Sequence, residues 1–303
     1  MVAPMVSALA LEIRTLRASE LPQVHDLVLN AFAVYPVPMQ PSLEQLQAML
    51  ERRGVDWTAS FGAFENGLLV GAALVAVDEW PVNIGAYAIL TAVRREWHGK
   101  GVLSGLFEWT KLALGPRGVT RMQLEVLIDN PRARRAYERL GFDTERHLFC
   151  FDLPRLDRPQ RFTEELGFAV FEGEAAADAE AQRGELWTSF WTLTPAWTGS
   201  MWTVRRAAQR VVIEARWQDE VCAYAVVDPE SKELLQIAVD AEHRRKGIGT
   251  ELIRACHQHV RGPSLRVLNV DDGPDRGVAI AWLRELGASL IAVQLEMVLH
   301  HVS

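Results

Sequence analysis

The sequence predicts an α/β protein made of two tandem copies of one domain, each a mixed central sheet flanked by helices. Its 303 residues are the length of two domains of about 150 residues each. Both halves show the same order of predicted elements, in which apolar runs typical of buried strands alternate with helical periodicity. Gly101 and Gly247 are 146 residues apart, as are Gly141 and Gly287. Two landmarks at one offset indicate an internal duplication.

The first half has a clear order of elements. Residues 12–16 predict a strand, a helix follows with Ser19 as a suitable N-cap, and another helix is predicted from Ser42 to Arg53. Glu65-Asn66-Gly67 separates two apolar runs and is typical of a hairpin turn. The later predicted elements are a strand at 86–93, a helix through Leu106 and Leu112, a strand at 122–127, a helix at 130–140 and a strand at 149–153.

The second half repeats this order after a linker. Residues 154–160 combine two prolines with alternating charges, a composition typical of linkers. We therefore predict an N-terminal domain at 12–153, a linker at 154–164 and a C-terminal domain at 165–303. The predicted elements are a strand at 168–171, a helix from 175, a hairpin at 211–217 and 221–227, a strand at 234–239, a helix at 251–260, a strand at 265–270, a helix at 278–286 and a strand at 290–299.

A glycine-rich turn between strand and helix in the second half predicts an anion site. Backbone N–H groups at a helix start lack internal partners, and the helix dipole adds positive charge there. Glycines let phosphate oxygens approach the main chain, and basic neighbours supply countercharge. The spacing Gly-x-x-x-x-Gly-Lys-Ser/Thr of nucleoside triphosphatases is absent. The predicted phosphate-binding residues are Arg244, Arg245, Lys246, Gly247, Ile248, Gly249 and Thr250.

The turn pattern Arg/Gln-x-x-Gly-x-Gly/Ala resembles the acetyl-coenzyme A loop of the GNAT N-acetyltransferase superfamily. Arg244, Gly247 and Gly249 fill its three defined positions, and the first half has a second copy around Gly99 and Gly101. The segment from Asn130 through Tyr137 to Gly141-Phe142 is similar to the GNAT signature Asn-x-x-x-x-x-x-Tyr-x-x-x-Gly-Phe. The resemblance covers both halves, roughly 12–153 and 165–300.

The resemblance implies a function. It implies that acetyl-coenzyme A (acetyl-CoA) is the co-substrate and lies in a V between the strand before the turn and the next strand. It implies transfer of the acetyl group to the amine of a small acceptor by direct attack, without a covalent enzyme intermediate. An alternative from another class is a non-catalytic acyl-CoA-binding module with a sensing or structural role.

The same resemblance implies roles for four further residues. Backbone amides near Val93 and Val239 would face the acetyl group, Asn130 would contact the pantetheine, and Tyr137 would lie near the sulfur as the catalytic acid. A phenol with an ordinary pKa near 10 is suited to protonating a thiolate. The alternative for the two valines and for Tyr137 is simple packing.

The two halves depart from the family pattern in opposite ways. In the first turn, His98 replaces Arg or Gln, and Leu103 stands where a phosphate should approach. In the second half, Leu283 stands at the position of Tyr137 and Arg276 at that of Asn130. We expect the second half to bind the coenzyme better, and which half is catalytic stays open. Asp271 and Asp272 are either bases or a solvated loop.

Composition limits the partners. The net charge of −7 argues against nucleic acid or an anionic membrane as a partner. No apolar run reaches the length of a membrane span, and residues 1–7 do not resemble a signal peptide. Three scattered cysteines fit a reducing compartment, so we expect a cytoplasmic protein, as a monomer or homodimer.

Two further groups of residues have alternative interpretations. Cys256 and His259 share a helix face, but two ligands rarely form a zinc site, so we predict no metal and an ordinary helix surface. An aromatic cluster precedes the second hairpin; the spacing of its first three members suggests core, and the resemblance would allow an acceptor pocket. The members are Trp187, Phe190, Trp191, Trp197 and Trp202.

Overall fold

The computed structural model describes residues 11–33, 40–80, 83–156, 166–271, 273 and 277–302. The chain divides into two compact units. The first unit comprises Met1–Thr144 and Met297–Ser303, and the second comprises Glu145–Glu296. Each unit is described by itself below.

The first unit is an α/β sheet whose elements follow the predicted order. Its strands are β1 (Glu12–Thr15), β2 (Phe61–Glu65), β3 (Leu68–Trp80), β4 (Asn83–Val93) and β5 (Val119–Leu127). Its helices are α1 (Leu21–Ala31), α2 (Leu43–Arg53), α3 (Val102–Leu114) and α4 (Pro131–Arg139). The predicted Ser19 cap is wrong, because the N-cap of α1 is Glu20, which makes no side-chain cap hydrogen bond. At α2 the Ser42 hydroxyl caps the helix by accepting from the Gln45 N–H at 3.2 Å.

The second unit repeats the pattern. Its strands are β6 (Asp143–Pro154, from Glu145 onward), β7 (Leu166–Glu172), β8 (Val211–Trp217), β9 (Glu220–Asp228), β10 (Glu233–Val239), β11 (Ser264–Asp271) and β12 (Ser289–His300, as far as Glu296). Its helices are α5 (Gly173–Ser189), α6 (Met201–Arg205), α7 (Ile248–His259) and α8 (Val278–Glu285).

Each sheet is mixed, as predicted. The strand order is β1-β2-β3-β4-β5-β12 in the first unit and β12-β6-β11-β10-β9-β8-β7 in the second. β4 pairs in parallel with β5, and β10 pairs in parallel with β11, whereas the hairpin strands are antiparallel. Helices α1 and α3 pack on the first sheet and α7 packs on the second. The fold class predicted from the sequence is therefore confirmed.

The compact units do not coincide with the sequence repeats. Most of β6, which ends the first repeat, lies in the second unit, and the end of β12, which ends the second repeat, lies in the first. β6 ends the first repeat but pairs with β11 in the second unit, from Ser264↔Pro154 to Asp271↔Leu148. The end of β12 belongs to the first unit, where the His301 N–H donates to the Thr120 carbonyl at 2.9 Å. The predicted boundaries, 12–153 and 165–303, describe the repeats along the chain. Residues 157–164 of the predicted linker lie outside the described residues.

The duplication is visible in the backbone. Gly141 and Gly287 end helices α4 and α8 with φ of 92° and 89°, which is the left-handed conformation that glycine adopts readily. The Phe142 N–H donates to the Tyr137 carbonyl at 3.1 Å, and the Ala288 N–H donates to the Leu283 carbonyl at 2.9 Å. Both helices thus end in the same way at the offset of 146 residues.

The prediction misplaces the start of α7 and omits α6. α7 begins at Ile248 rather than at residue 251. Gly247, with φ of 86°, is its N-cap and Ile248 is already buried, so the helix starts as soon as the turn is complete. α6 was not predicted because its five residues are too short for a periodic pattern.

The aromatic cluster of the second unit is mostly core. Trp187 stacks on Tyr224 with ring centroids 5.0 Å apart, and both side chains are buried. Phe190 and Trp197 are also buried, although α5 ends at Ser189 and Phe190 lies just beyond it. The core interpretation is confirmed for these buried members of the cluster.

A buried histidine in α7 makes the second unit sensitive to acid. His257 is 3% exposed, and neither ring nitrogen has a hydrogen-bond partner. Burial, together with the charge of Arg155, lowers the pKa of His257 to about 4. The Arg155 guanidinium itself donates to the carbonyl oxygen of His257 in the last turn of α7 and to those of Val260 and Gly262 just after it.

We expect this histidine to destabilise the fold in acid. An unfolded histidine has a pKa near 6.5, so the unfolded state binds more protons below that pH. The free energy of unfolding should fall by about 2 kcal/mol as the pH decreases from 7 towards 4.5, measured by urea denaturation. His257→Leu should reduce that fall. His259→Leu on the same helix is the control and should retain it; equal pH dependence in the wild type and His257→Leu would contradict the prediction.

Candidate active site

The two strand-to-helix turns have the same backbone conformation. The first runs from the end of β4 to the start of α3, and the second runs from the end of β10 to the start of α7. Gly99 and Arg245 occupy equivalent positions with φ of 77° and 64°, and Gly101 and Gly247 do so with φ of 78° and 86°. A left-handed arginine is uncommon, so Arg245 keeps the geometry for which the first turn uses a glycine.

Each turn directs backbone N–H groups outward at the start of a helix. In α3, the Gly105 N–H donates to the Gly101 carbonyl at 3.0 Å, and in α7 the Glu251 N–H donates to the Gly247 carbonyl at 3.2 Å. The amides of the residues between, such as Val102 and Ile248, come too early for an intrahelical acceptor. Both turns therefore have the geometry of an anion site.

A side chain braces each turn from within. The Arg244 Nε donates to the Val239 carbonyl at 2.9 Å. His98, at the equivalent position, donates through Nε2 to the Val93 carbonyl at 2.9 Å. His98 departs from the motif, but it makes the same hydrogen bond as the arginine.

The strands beside each turn separate into a V. β4 pairs with β5 only from Ile84↔Val119 to Tyr87↔Gln123, and β10 pairs with β11 only at Glu233↔Arg266 and Leu234↔Val267, within the described part of the chain. The register with the antiparallel neighbour shifts at this point, leaving one extra residue in each strand. Such a bulge bends the strand away from its partner. The extra residues are Ile89 and Leu235.

The backbone of the two predicted valines faces the V. Val93 lies opposite Gly71 of β3, and the next N–H, that of Arg94, donates to the Val70 carbonyl at 2.8 Å. Successive residues of an antiparallel strand direct their polar groups to opposite sides. The Val93 N–H therefore points away from β3, towards the side where β4 and β5 separate. Val239 has the same geometry, because the Asp240 N–H donates to the Cys222 carbonyl at 2.8 Å.

A carboxylate that sequence reasoning missed lies where β5 leaves β4. The Tyr87 hydroxyl, on the last paired residue of β4, donates to Glu125 Oε2 at 2.8 Å. Glu125 is half-buried. The offset of 146 residues pairs it with Asp271, which the sequence analysis did consider as a base. Applying the offset backwards from Asp271 would have identified Glu125.

Asp271 has a different environment from its counterpart. Arg146 Nη1 donates to Asp271 Oδ2 at 2.6 Å, and its Nε donates to Glu296 Oε2 at 2.7 Å. Burial lowers the pKa of Arg146, but the hydrogen bond and charge of Glu296, followed by those of Asp271, raise it above its ordinary value. Asp271 is thus one member of a buried ion-pair cluster, whereas Glu125 accepts from a neutral phenol.

The remaining signature residues of the first unit lie on and around α4. Tyr137 is half-buried, and its ring packs edge-on against Phe107 and Phe142, with centroids 6.0 and 5.9 Å away. Asn130 is the N-cap of α4, where its Oδ1 accepts from the Ala133 N–H at 3.0 Å. Leu283, at the position of Tyr137 in the second unit, is buried in the core. Arg276 and Asp272 lie outside the described residues.

A tryptophan covers the second turn. A Cβ added to Gly249 would lie 3.1 Å from Trp282 Cζ2, and the Trp282 Nε1 donates to Thr250 Oγ1 at 3.3 Å. The indole of α8 therefore lies against the first turn of α7, where the sequence analysis expected phosphate. A Cβ added to Gly99 or Gly101 in the first turn, or to Gly247 in the second, would meet no heavy atom within 4 Å.

The other predicted groups have structural surroundings. Lys246 Nζ lies 5.4 Å from the centre of the Trp217 ring, which is cation–π geometry. Cys256 is fully buried, contrary to the expected helix surface, and burial raises the pKa of its thiol to about 12. His259 lies 3.3 Å from the Glu172 carboxylate. Among the described residues, no group of three or more His, Cys, Asp and Glu side chains has metal-binding geometry.

Comparison with known families identifies the fold that carries these turns. The model of the Acetyltransferase (GNAT) family matches residues 21–142 and, separately, residues 177–288. The chain belongs to the GNAT acetyltransferase family. Members of this family transfer acyl groups from coenzyme A thioesters to amines, and the chain has two GNAT domains.

Two solved structures have a similar fold over nearly the whole chain. A tandem GNAT protein from the clavulanic acid biosynthesis pathway, solved without AcCoA, has a TM-score of 0.72 at 16% identity, covering 96% of this chain and 98% of that protein. A GCN5-related N-acetyltransferase from Sphaerobacter thermophilus has a TM-score of 0.71 at 14% identity, covering 96% and 95%. At these identities the likeness concerns the fold alone.

A curated relative matches a smaller part of the sequence. N-alpha-acetyltransferase 30 of Schizosaccharomyces pombe is 29% identical over 99 residues, which is 32% of this chain. The match spans 66% of that relative's length. Separately, the helices in the described ranges are all too short or too polar to cross a membrane.

The ion-pair cluster around Arg146 should contribute strongly to stability. Arg146→Met would leave Glu296, whose side chain is 1% exposed, without its arginine, and we expect a loss of about 3 kcal/mol in the free energy of unfolding. Arg134→Met is the control, because its partner Glu138 forms an exposed pair for which we expect less than about 1 kcal/mol. Equal losses in urea denaturation would contradict the prediction.

Proposed function

We propose that the protein is an acetyl-CoA-dependent N-acetyltransferase whose catalytic site lies in the first unit. The observation that carries this proposal is the pairing of Glu125 with a neutral phenol at the V, while its counterpart Asp271 is held by an arginine. The first unit has Tyr137 and Asn130, whereas the second repeat has Leu283 and Arg276 at the same positions. The first unit thus combines a turn, a V, a base and an acid.

The first turn fits the diphosphate of coenzyme A. The space beside Gly99 and Gly101 is open, and the N–H groups at the start of α3 point outward. The Val93 amide would bind the pantetheine or the acetyl oxygen in the V. Asn130, which already caps α4, would contact the pantetheine from the other side.

The proposed chemistry is a direct transfer. Acetyl-CoA supplies an acyl group on a thioester. Glu125 accepts a proton from the acceptor amine as the amine nitrogen bonds to the acyl carbon, and the carbon–sulfur bond breaks. Tyr137 donates its hydroxyl proton to the leaving sulfur, and water returns both residues to their starting states.

The acceptor is proposed to be a small molecule with a primary amine. The name of the S. pombe relative, an N-alpha-acetyltransferase, adds an α-amino group as one such acceptor. The net charge of −7 favours a cationic amine over nucleic acid or an anionic membrane. We propose a cytoplasmic monomer or homodimer, since the three cysteines are free and buried.

Binding at the first turn can be tested with a charge. Leu103→Glu places a carboxylate where phosphate is proposed to bind, so we expect the Kd for coenzyme A to rise at least tenfold in calorimetry. A carboxylate near the start of α3 interacts favourably with the helix dipole, so the melting temperature should not fall. Leu103→Gln is the neutral control and should bind much as the wild type does; equal binding by both variants would exclude the first turn.

Catalysis can be tested by removing the proposed acid and base. Tyr137→Phe and Glu125→Gln should each lower turnover by about 100-fold, measured as thiol release with a panel of amines, while coenzyme A binding stays unchanged. Asp271→Asn, the same position in the second repeat, is the matched control and should retain turnover. Unchanged rates in both first-unit variants would place the chemistry elsewhere.

The alternative is a non-catalytic acyl-CoA-binding module. Two observations support a non-catalytic role for the second unit. Leu283 has no proton to donate, and Asp271 is ion-paired. Coenzyme binding without turnover on any amine would support the module for the whole chain.

A further inference from the structure

We propose that Trp282 is a built-in plug of the second turn, so that each chain binds one molecule of coenzyme A, in the first unit. This inference rests on the proposed function, because it assumes that the first turn takes the coenzyme. It reverses the expectation from sequence that the second half, with the better motif, is the better binder.

The plug follows from the position of one indole. Gly249 is the motif glycine whose missing side chain would admit a phosphate, but its Cα faces Trp282, with Cζ2 only 3.1 Å from an added Cβ. The indole is fixed at its other end by the hydrogen bond from Nε1 to Thr250 Oγ1 at 3.3 Å. The same side chain packs against the buried core of the second unit. A phosphate at this turn would have to displace an indole that contacts Gly249, donates to Thr250 and packs against the core.

The duplicate provides an internal comparison. The position of Trp282 is taken by Ala136 in the first repeat, and that of Gly249 is taken by Leu103. Large and small residues have therefore exchanged places between the two turns. Leu103 is half-buried on the first turn of α3. The counterpart of Trp282 in the first repeat is Ala136, which is too small to cover this turn. Gly249 thus serves the packing of Trp282, which explains why a glycine persists in a turn that does not bind the ligand.

In the second unit, side chains near the end of β11 are bound to neighbouring side chains. Asn269 adopts a left-handed φ of 58° and is held by hydrogen bonds with Thr198 at 2.8 Å and Gln294 at 2.9 Å. Arg146 and Asp271 form their ion pair beside it on β6 and β11. Asp271 would stay ion-paired after removal of the indole, so Trp282→Ala should restore binding at the turn without creating a second catalytic centre.

Calorimetric titration with coenzyme A tests the proposal through stoichiometry. We expect one site per chain in the wild type and two in Trp282→Ala, with acetyl transfer per chain unchanged. We expect no site in Leu103→Glu. We expect one site in the double variant that combines Leu103→Glu with Trp282→Ala. Trp282→Phe is the matched control, since it keeps an aromatic ring over Gly249, and should retain one site. Circular dichroism and melting curves check that each variant is folded.

The outcomes separate this proposal from the proposed function. Folded Trp282→Ala with one site would overturn the plug and leave the proposed function standing. No site in the wild type but one in Trp282→Ala would support the plug and overturn the assignment of the first unit. If Trp282→Ala does not fold, Leu103→Glu alone decides, because a remaining site in that variant would place the coenzyme at the second turn and overturn the plug.

Discussion

The separation of two parallel strands is the constraint on which the site depends. A parallel pair that stayed together would use the backbone N–H groups that point towards the partner strand. Here one extra residue, Ile89 or Leu235, bends each strand away just after the last paired residue. The amides that follow, those of Val93 and Val239, then face a V instead of a neighbour. The glycine turn completes this arrangement, because it connects the end of the same strand to the start of a helix.

Much of this arrangement could be predicted from the sequence because it depends on local rules. Strand and helix periods gave the order of elements, and the two glycine landmarks gave the duplication. The bulges could not be predicted, since Ile89 and Leu235 read as ordinary members of apolar strands. Glu125 was missed because it lies inside an apolar run and its partner Tyr87 is 38 residues away. The contact between Trp282 and Gly249 likewise depends on how two helices pack, which no local pattern specifies.

The two repeats have kept the backbone and changed the chemistry. Equivalent turns, helix ends and bulges persist at one offset, while equivalent side chains differ in charge and size. Asp271 belongs to an ion-pair cluster, and Glu125 accepts from the Tyr87 hydroxyl. Motif glycines alone therefore predict the shape of a turn better than its side-chain surroundings. His98 makes the complementary point, because a residue outside the motif can form the same brace as Arg244.

The exchanged final strands bear on how such a protein can evolve and be dissected. A chain cut within the linker would end before the segment whose His301 N–H satisfies the Thr120 carbonyl. The N-terminal fragment would then expose the backbone of β5 as a bare sheet edge, which promotes aggregation. Neither sequence repeat forms a complete sheet by itself, so each is needed as scaffold whatever its chemistry. This interdependence gives a physical reason for selection to retain both copies.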